Sequence, residues 1–136
     1  MKKIQAGFTL LELLVVMVII GLLAGLVVPR YFSQVGKSQS KVAAAQIDAL
    51  DKALVSFRLD TDRFPTTEEG LGALNTAPAD VGGWAGPYLK KAVPEDPWGV
   101  PFIYKEPGDH GDFDLSTYGK DGVPGGTAEN TDITNW

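Results

Sequence analysis

The sequence predicts an α+β protein built on one long N-terminal helix, kinked and transmembrane in its first half. The second half packs on a small head with a short helix, a small antiparallel sheet and a long C-terminal loop. Three observations carry this. The run Leu13 to Val28 holds no charged residue. Behind Pro29, apolar residues recur at helical spacing. Beyond Asp60, prolines and glycines divide the chain into short segments, some with strand-like alternation.

Phe8 to Val28 as a helix would span roughly 31 Å, the thickness of bilayer hydrocarbon. Lys2 and Lys3 precede it, which predicts a cytoplasmic N-terminal end and an exported remainder. The competing reading is a secretory signal peptide, cut off and discarded. Against it, the uncharged run slightly exceeds the usual apolar region of about 7–15 residues and is headed by Glu12. Pro29 has no N–H and removes the hydrogen bond to the Gly25 carbonyl. The helix is therefore expected to be soft between Gly21, Gly25 and Pro29. The two glycines also form a G-x-x-x-G pair through which helices could approach closely.

Beyond Pro29, Val35, Val42, Ala43, Ile47, Leu50, Leu54 and Phe57 form an apolar stripe, and most charged residues lie elsewhere on the circumference. One helix is expected from Phe8 to about Leu59, roughly 78 Å long. Thr66-Thr67-Glu68-Glu69 supplies a capping box for a short second helix through Leu74, weakened by Gly70 and Gly72. Asn75 to Pro87 reads as a long loop that Trp84 and Tyr88 can pin to the head. Asp96-Pro97-Trp98-Gly99 reads as a solvated tight turn. It opens onto Val100 to Tyr104, an edge strand because Pro101 cannot complete a central ladder. Gly108 to Gly111 makes a second turn, with His110 expected in solvent, and Phe113 to Tyr118 alternates as the returning strand.

With the anchor set aside, roughly 110 of the 136 residues remain, enough for one small core. A formal charge of −5 argues against holding nucleic acid by bulk electrostatics. The absence of cysteine excludes disulfides and thiolate metal sites, and His110 is the single imidazole. An enzyme is thus a poor first reading. Between Tyr118 and Ile133, the side chains of Asp121, Glu129, Asn130 and Asp132 are interleaved with four glycines. A hard cation takes six to eight oxygens, and glycines let carbonyls turn inward. The residues alone leave a cation loop and a solvated acidic tail both open.

Gly7-Phe8-Thr9-Leu10-Leu11-Glu12-Leu13 resembles the processing site of type IV pilins and pseudopilins. The resemblance implies that a prepilin peptidase cuts between Gly7 and Phe8 and N-methylates Phe8. The domains are then a cleaved leader, 1–7, a transmembrane and filament-core helix, 8–28, and a head, 29–136. The new Phe8 amine lies four residues before Glu12, on the same helix face. Spacing permits a pair within one chain, a merely interfacial acid, or a pair with the next subunit; the resemblance implies the last.

The head resembles the major pseudopilins of type II secretion. Arg63 to Leu71, Tyr88 to Lys91, Asp96 to Gly99, Phe113 to Leu115 and Asp132 to Trp136 carry this likeness. It implies a structural subunit that polymerises into a periplasmic pseudopilus, helping to drive folded proteins across the outer membrane. Its partners would be minor pseudopilins and an inner-membrane assembly platform, its location the bacterial inner membrane, single-pass, with a periplasmic head. It also implies calcium in the C-terminal loop. Asp121 matches the first acidic ligand, Asp132 or Asn130 the second, and carbonyls near Leu115, Tyr118 and Val123 complete the shell. The alternatives are a type IV pilus subunit for adhesion, motility or DNA uptake, and a tethered binding protein or an enzyme using Glu95 and Asp96.

Overall fold

The computed structural model describes residues 7–136 and has the element order expected of this α+β class. Lys2 and Lys3 of the leader lie outside the described residues. The chain divides into two compact units, one ending at Val35 and the other Gly36–Trp136.

The first unit is helical from Leu10, and from Gly7 to Val35 every residue is exposed. Thr9 starts the helix: its Oγ1 accepts the Glu12 N–H at 3.2 Å, satisfying one of the free donors of the first turn. The element α1 covers Leu10–Thr61, with Pro29 inside it. Its bounds sit two residues later at each end than the sequence suggests. At the far end Asp62 takes a positive φ of 61° and its N–H bonds the Arg58 carbonyl at 2.8 Å. That left-handed residue stops the helix.

In the second unit α1 buries Ala43, Ile47, Leu50, Ala53, Leu54 and Phe57. Val42, assigned to the apolar stripe by its spacing, is exposed, as is Val35 of the first unit. Val42 stands one residue from Ala43 and so points about 100° away from the buried row. Ala53, small enough to admit its neighbours, takes a place on the buried face instead. Against this row pack Leu71, Ala73, Leu74, Phe102, Phe113 and Leu115, and Phe64, Trp84 and Tyr88 close the margin.

The capping box forms as read. Glu69 Oε2 accepts the Thr66 N–H at 2.9 Å, and Thr66 Oγ1 accepts the Glu69 N–H at 3.2 Å. Arg63 adds a two-pronged pair to the same carboxylate, both contacts at 2.7 Å. The α-helix expected after it does not form. Gly70 takes φ 59°, which no right-handed helix accommodates, and only a 3₁₀ segment follows, Leu71–Leu74. The long loop is pinned as anticipated: Trp84 Nε1 donates to the Ala73 carbonyl at 2.9 Å, and the Tyr88 hydroxyl donates to Asp60 at 2.8 Å.

Three antiparallel strands, β1 (Ile103–Lys105), β2 (Asp114–Thr117) and β3 (Ile133–Thr134), lie in the order β1-β2-β3. Ile103 pairs with Ser116, and Ser116 in turn with Thr134. β1 is an edge strand but begins at Ile103 rather than Val100; Pro101 makes only an isolated bridge with Glu95. All four residues of β2 are buried, so the alternation read from its sequence does not correspond to one wet face.

Candidate functional site

Three places carry the candidate residues: the start of α1, the margin of the sheet, and the C-terminal loop. At the first, Phe8 is 79% exposed, and Gly7 and Glu12 are exposed beside it. The cleavage point is therefore accessible. Thr9-x-x-Glu12 also fits the capping-box pattern, a local signal not used in reading the sequence. Among the described residues α1 is the one helix long and apolar enough to cross a membrane.

The sheet margin overturns one expectation and adds partners to another. Asp96, read as solvated, is 4% exposed. Its Oδ1 accepts the N–H groups of Trp98 at 3.0 Å and Val100 at 2.8 Å, and its Oδ2 accepts the buried Thr117 hydroxyl. The tight turn is thereby fastened to β2. Turn residues usually face solvent, and the partner that buries this one stands 21 positions away. His110 is exposed, as expected, but it is not without partners. Its Nδ1 lies 2.9 Å from Asp114 Oδ2, and its ring stacks on Trp136 with centroids 4.1 Å apart and planes 5° from parallel.

These aromatic rings, with Lys105, Ser116 and Thr134, border one groove on a face of the sheet. They explain why Asp114 and Ser116 of β2 are dry on that side. Burial pushes the Asp114 carboxyl up. The His110 ring and the N–H groups of Asp109 and His110 outweigh this and hold it below its ordinary value. Asn135 completes the margin. Its backbone N–H bonds the Leu115 carbonyl at 3.0 Å, while its side-chain Oδ1, standing in for a strand carbonyl, accepts the Leu115 N–H at 2.9 Å.

The C-terminal loop closes on itself. Lys120 N–H bonds the Glu129 carbonyl at 2.9 Å. At Gly119, with φ +74°, an added Cβ would meet Glu129 O at 2.7 Å, so the backbone approach itself demands glycine. Asp121 Oδ1 accepts the Val123 N–H at 3.2 Å. Asp132 Oδ2 accepts the Gly125 N–H at 2.9 Å, whereas its Oδ1 is buried with no hydrogen-bond partner. An unpaired buried carboxylate oxygen is costly.

Tyr118 and Asp132 share a groove, Leu115 lies on β2, Val123 is exposed, and Asn130 ends a short 3₁₀ turn, Ala128–Asn130. No group of three His, Asp or Glu side chains converges among the described residues. Any cation here would thus depend largely on backbone carbonyls beside at most two carboxylates. The buried, unpaired Asp132 oxygen fits that donor set.

An exposed apolar anchor behind a processing motif, joined to this three-stranded head, defines a pilin-like class. Residues 2–28 match the prokaryotic N-terminal methylation motif, and residues 30–136 match the family described as type II secretion system, protein G. The type II secretion system core protein G of Vibrio cholerae serotype O1 is 44% identical, the alignment covering 100% of this chain and 96% of that one. Its counterpart from Pseudomonas aeruginosa is 43% identical over 99% and 97%. The crystal structure of the major pseudopilin from the type 2 secretion system of enterohaemorrhagic Escherichia coli superposes with a TM-score of 0.62. It is 34% identical and covers 74% of this chain and 88% of its own.

The chain belongs to the type II secretion system protein G family. The secretion reading therefore stands over the type IV pilus alternative. The methylation motif brings with it pilin-like assembly, processing by a prepilin peptidase, and anchoring by the N-terminal apolar helix.

Proposed function

We propose that the mature chain is a structural subunit without enzymatic activity, inserted once in the bacterial inner membrane with its head in the periplasm. There it polymerises into the pseudopilus that helps move folded proteins across the outer membrane, alongside minor pseudopilins and an inner-membrane assembly platform. One observation carries this: from Gly7 to Val35 no residue is covered by the chain itself. Lipid covers that surface before assembly, and neighbouring copies cover it afterwards. Pro29, lacking an N–H toward the Gly25 carbonyl, makes this the turn of the anchor that opens at least cost.

Glu12 lies in the apolar anchor, where an unpaired charge costs about 2.5–3.5 kcal/mol even on lenient scales. Its partner in this reading is the methylated Phe8 amine of the next subunit. Mass spectrometry of the mature N-terminus should find N-methyl-Phe8, and a chain beginning elsewhere would overturn the processing step. Glu12→Ala should still insert in the membrane but fail to assemble. Normal filaments from that variant would exclude the intersubunit pair.

The loop is read as a calcium site held by Asp121 and Asp132, with Asn130 the second choice for the latter position and carbonyls near Leu115, Tyr118 and Val123 completing the shell. Calcium would supply order rather than chemistry: binding only the folded head adds about 2.7 kcal/mol at a hundredfold excess over Kd. The support is the buried Asp132 Oδ1 that has no other partner. Full-length protein in detergent should melt lower in EDTA than in calcium, with the difference abolished by Asp132→Ala. Superimposable curves would sink the calcium reading.

A further inference from the structure

Glycine within a helix costs roughly 0.5–1 kcal/mol relative to alanine, so each glycine of α1 calls for a reason. Gly21 and Gly25 would meet nothing within 4 Å if they carried a Cβ. Gly36 is different. It is buried, and a Cβ there would fall 1.9 Å from Glu129 Oε1, 2.1 Å from its Cγ and 2.2 Å from its Cδ. The Glu129 side chain thus lies on bare helix backbone, where any side chain at position 36 would displace it.

Glu129 has the composition of a metal ligand, yet its carboxylate is spent elsewhere. Its Oε2 pairs with Lys120 Nζ at 2.7 Å, and its side chain is 24% exposed against 59% for the lysine. Its carbonyl accepts the Lys120 N–H. One residue therefore ties both ends of the loop segment 120–129 and rests on α1 in the same place. An exposed ion pair alone would contribute little; the helix contact gives the arrangement a fixed position.

We propose that Gly36 is a seat for Glu129. Gly36, Glu129 and Lys120 together are positioning residues that hold the C-terminal loop against the Gly36–Thr61 part of α1. What the loop then binds rests on the calcium reading; the seat itself does not.

Hydrogen exchange of the full chain in detergent, read by mass spectrometry over residues 119–130 in EDTA, tests the seat directly. Gly36→Ala should speed exchange of these amides about tenfold while β1 and β2 remain protected. This would happen although alanine favours the helix. Glu129→Ala should do the same, and Glu129→Gln, which keeps the shape, should restore most of the protection.

In the double variant the two effects should not add, because the new methyl group has nothing left to displace. Its melting temperature should instead exceed that of Glu129→Ala. A Gly36→Ala protein whose loop exchanges at the parent rate, or a double variant with additive effects, would overturn the proposal. A parallel calcium titration should show Gly36→Ala binding about tenfold more weakly. Absence of calcium binding by the parent would count against the metal reading alone, because the seat is decided in EDTA.

Discussion

Two stretches of α1 both supply large apolar side chains and end in opposite surroundings. Between Leu10 and Val28 the leucines, valines and isoleucines surround the helix on every side, and Leu10 is 87% exposed. Between Ala43 and Phe57 all of them but the exposed Val55 fall on one stripe, interspersed with charged residues, and Leu54 and Phe57 are 0% exposed. The presence of large apolar residues alone thus does not say whether a segment folds upon its own chain. The angular distribution decides: a stripe matches a single partner surface, whereas an all-round apolar helix needs a solvent or several partners.

Substitutions on the two stretches should separate stability from assembly. The largest effect is expected from Phe57→Ala, which empties the centre of the head core and should cost about 3–5 kcal/mol. Circular dichroism should show its melting transition lowered by roughly 15 °C or more. Glu12→Ala, whose assembly defect is the expected reading above, should leave that head transition where it was. Reversal of either result would mean that the stretches are energetically coupled in a way their environments do not indicate.

A middle-sized effect belongs to Asp96→Ala. It strips the Thr117 hydroxyl and two backbone N–H groups of their acceptor. About 1–3 kcal/mol should be lost in urea unfolding, with no change in membrane insertion. The smallest concerns Glu69. Hydrogen bonds from Arg63 first, then from the Thr66 N–H, hold its carboxyl below the ordinary 4.5 against the opposing effect of burial. A depressed acid contributes stability that is present above the unfolded value and disappears as pH falls through the folded one. Glu69→Gln should therefore flatten the acid limb of head stability and cost only about 0.5–1 kcal/mol at neutral pH, given the partial exposure of the pair.

Local signals reached the structure well. The processing motif, the buried row from Ala43 to Phe57, the Thr66/Glu69 box and the Asp96 turn are all written within a few residues of one another. What failed needed partners distant in sequence. Asp96 is dry because Thr117 reaches it. His110 is exposed as read, and only its stacking on Trp136, brought back by the chain, escaped the sequence. The helix after Glu69 was lost to one backbone angle at Gly70. At the C-terminal loop, composition and likeness nominate Asp121 and Asp132 as calcium ligands, and that nomination belongs to the proposal. The role of Gly36 could not be named in this way, because a missing side chain shows its purpose only when something else fills the space.

The way the sheet stops has its own consequence. β1 is three residues long, preceded by Pro101 and ended by Lys105, and beyond Thr134 the Asn135 side chain takes over the acceptor role that a continuing strand would present. Long open strand edges invite other strands, and short, charged or side-chain-terminated ones do not. For a subunit stacked at high local concentration, this is protection against the wrong kind of polymer. Short strands ended in this way offer little template for edge-to-edge, amyloid-like pairing.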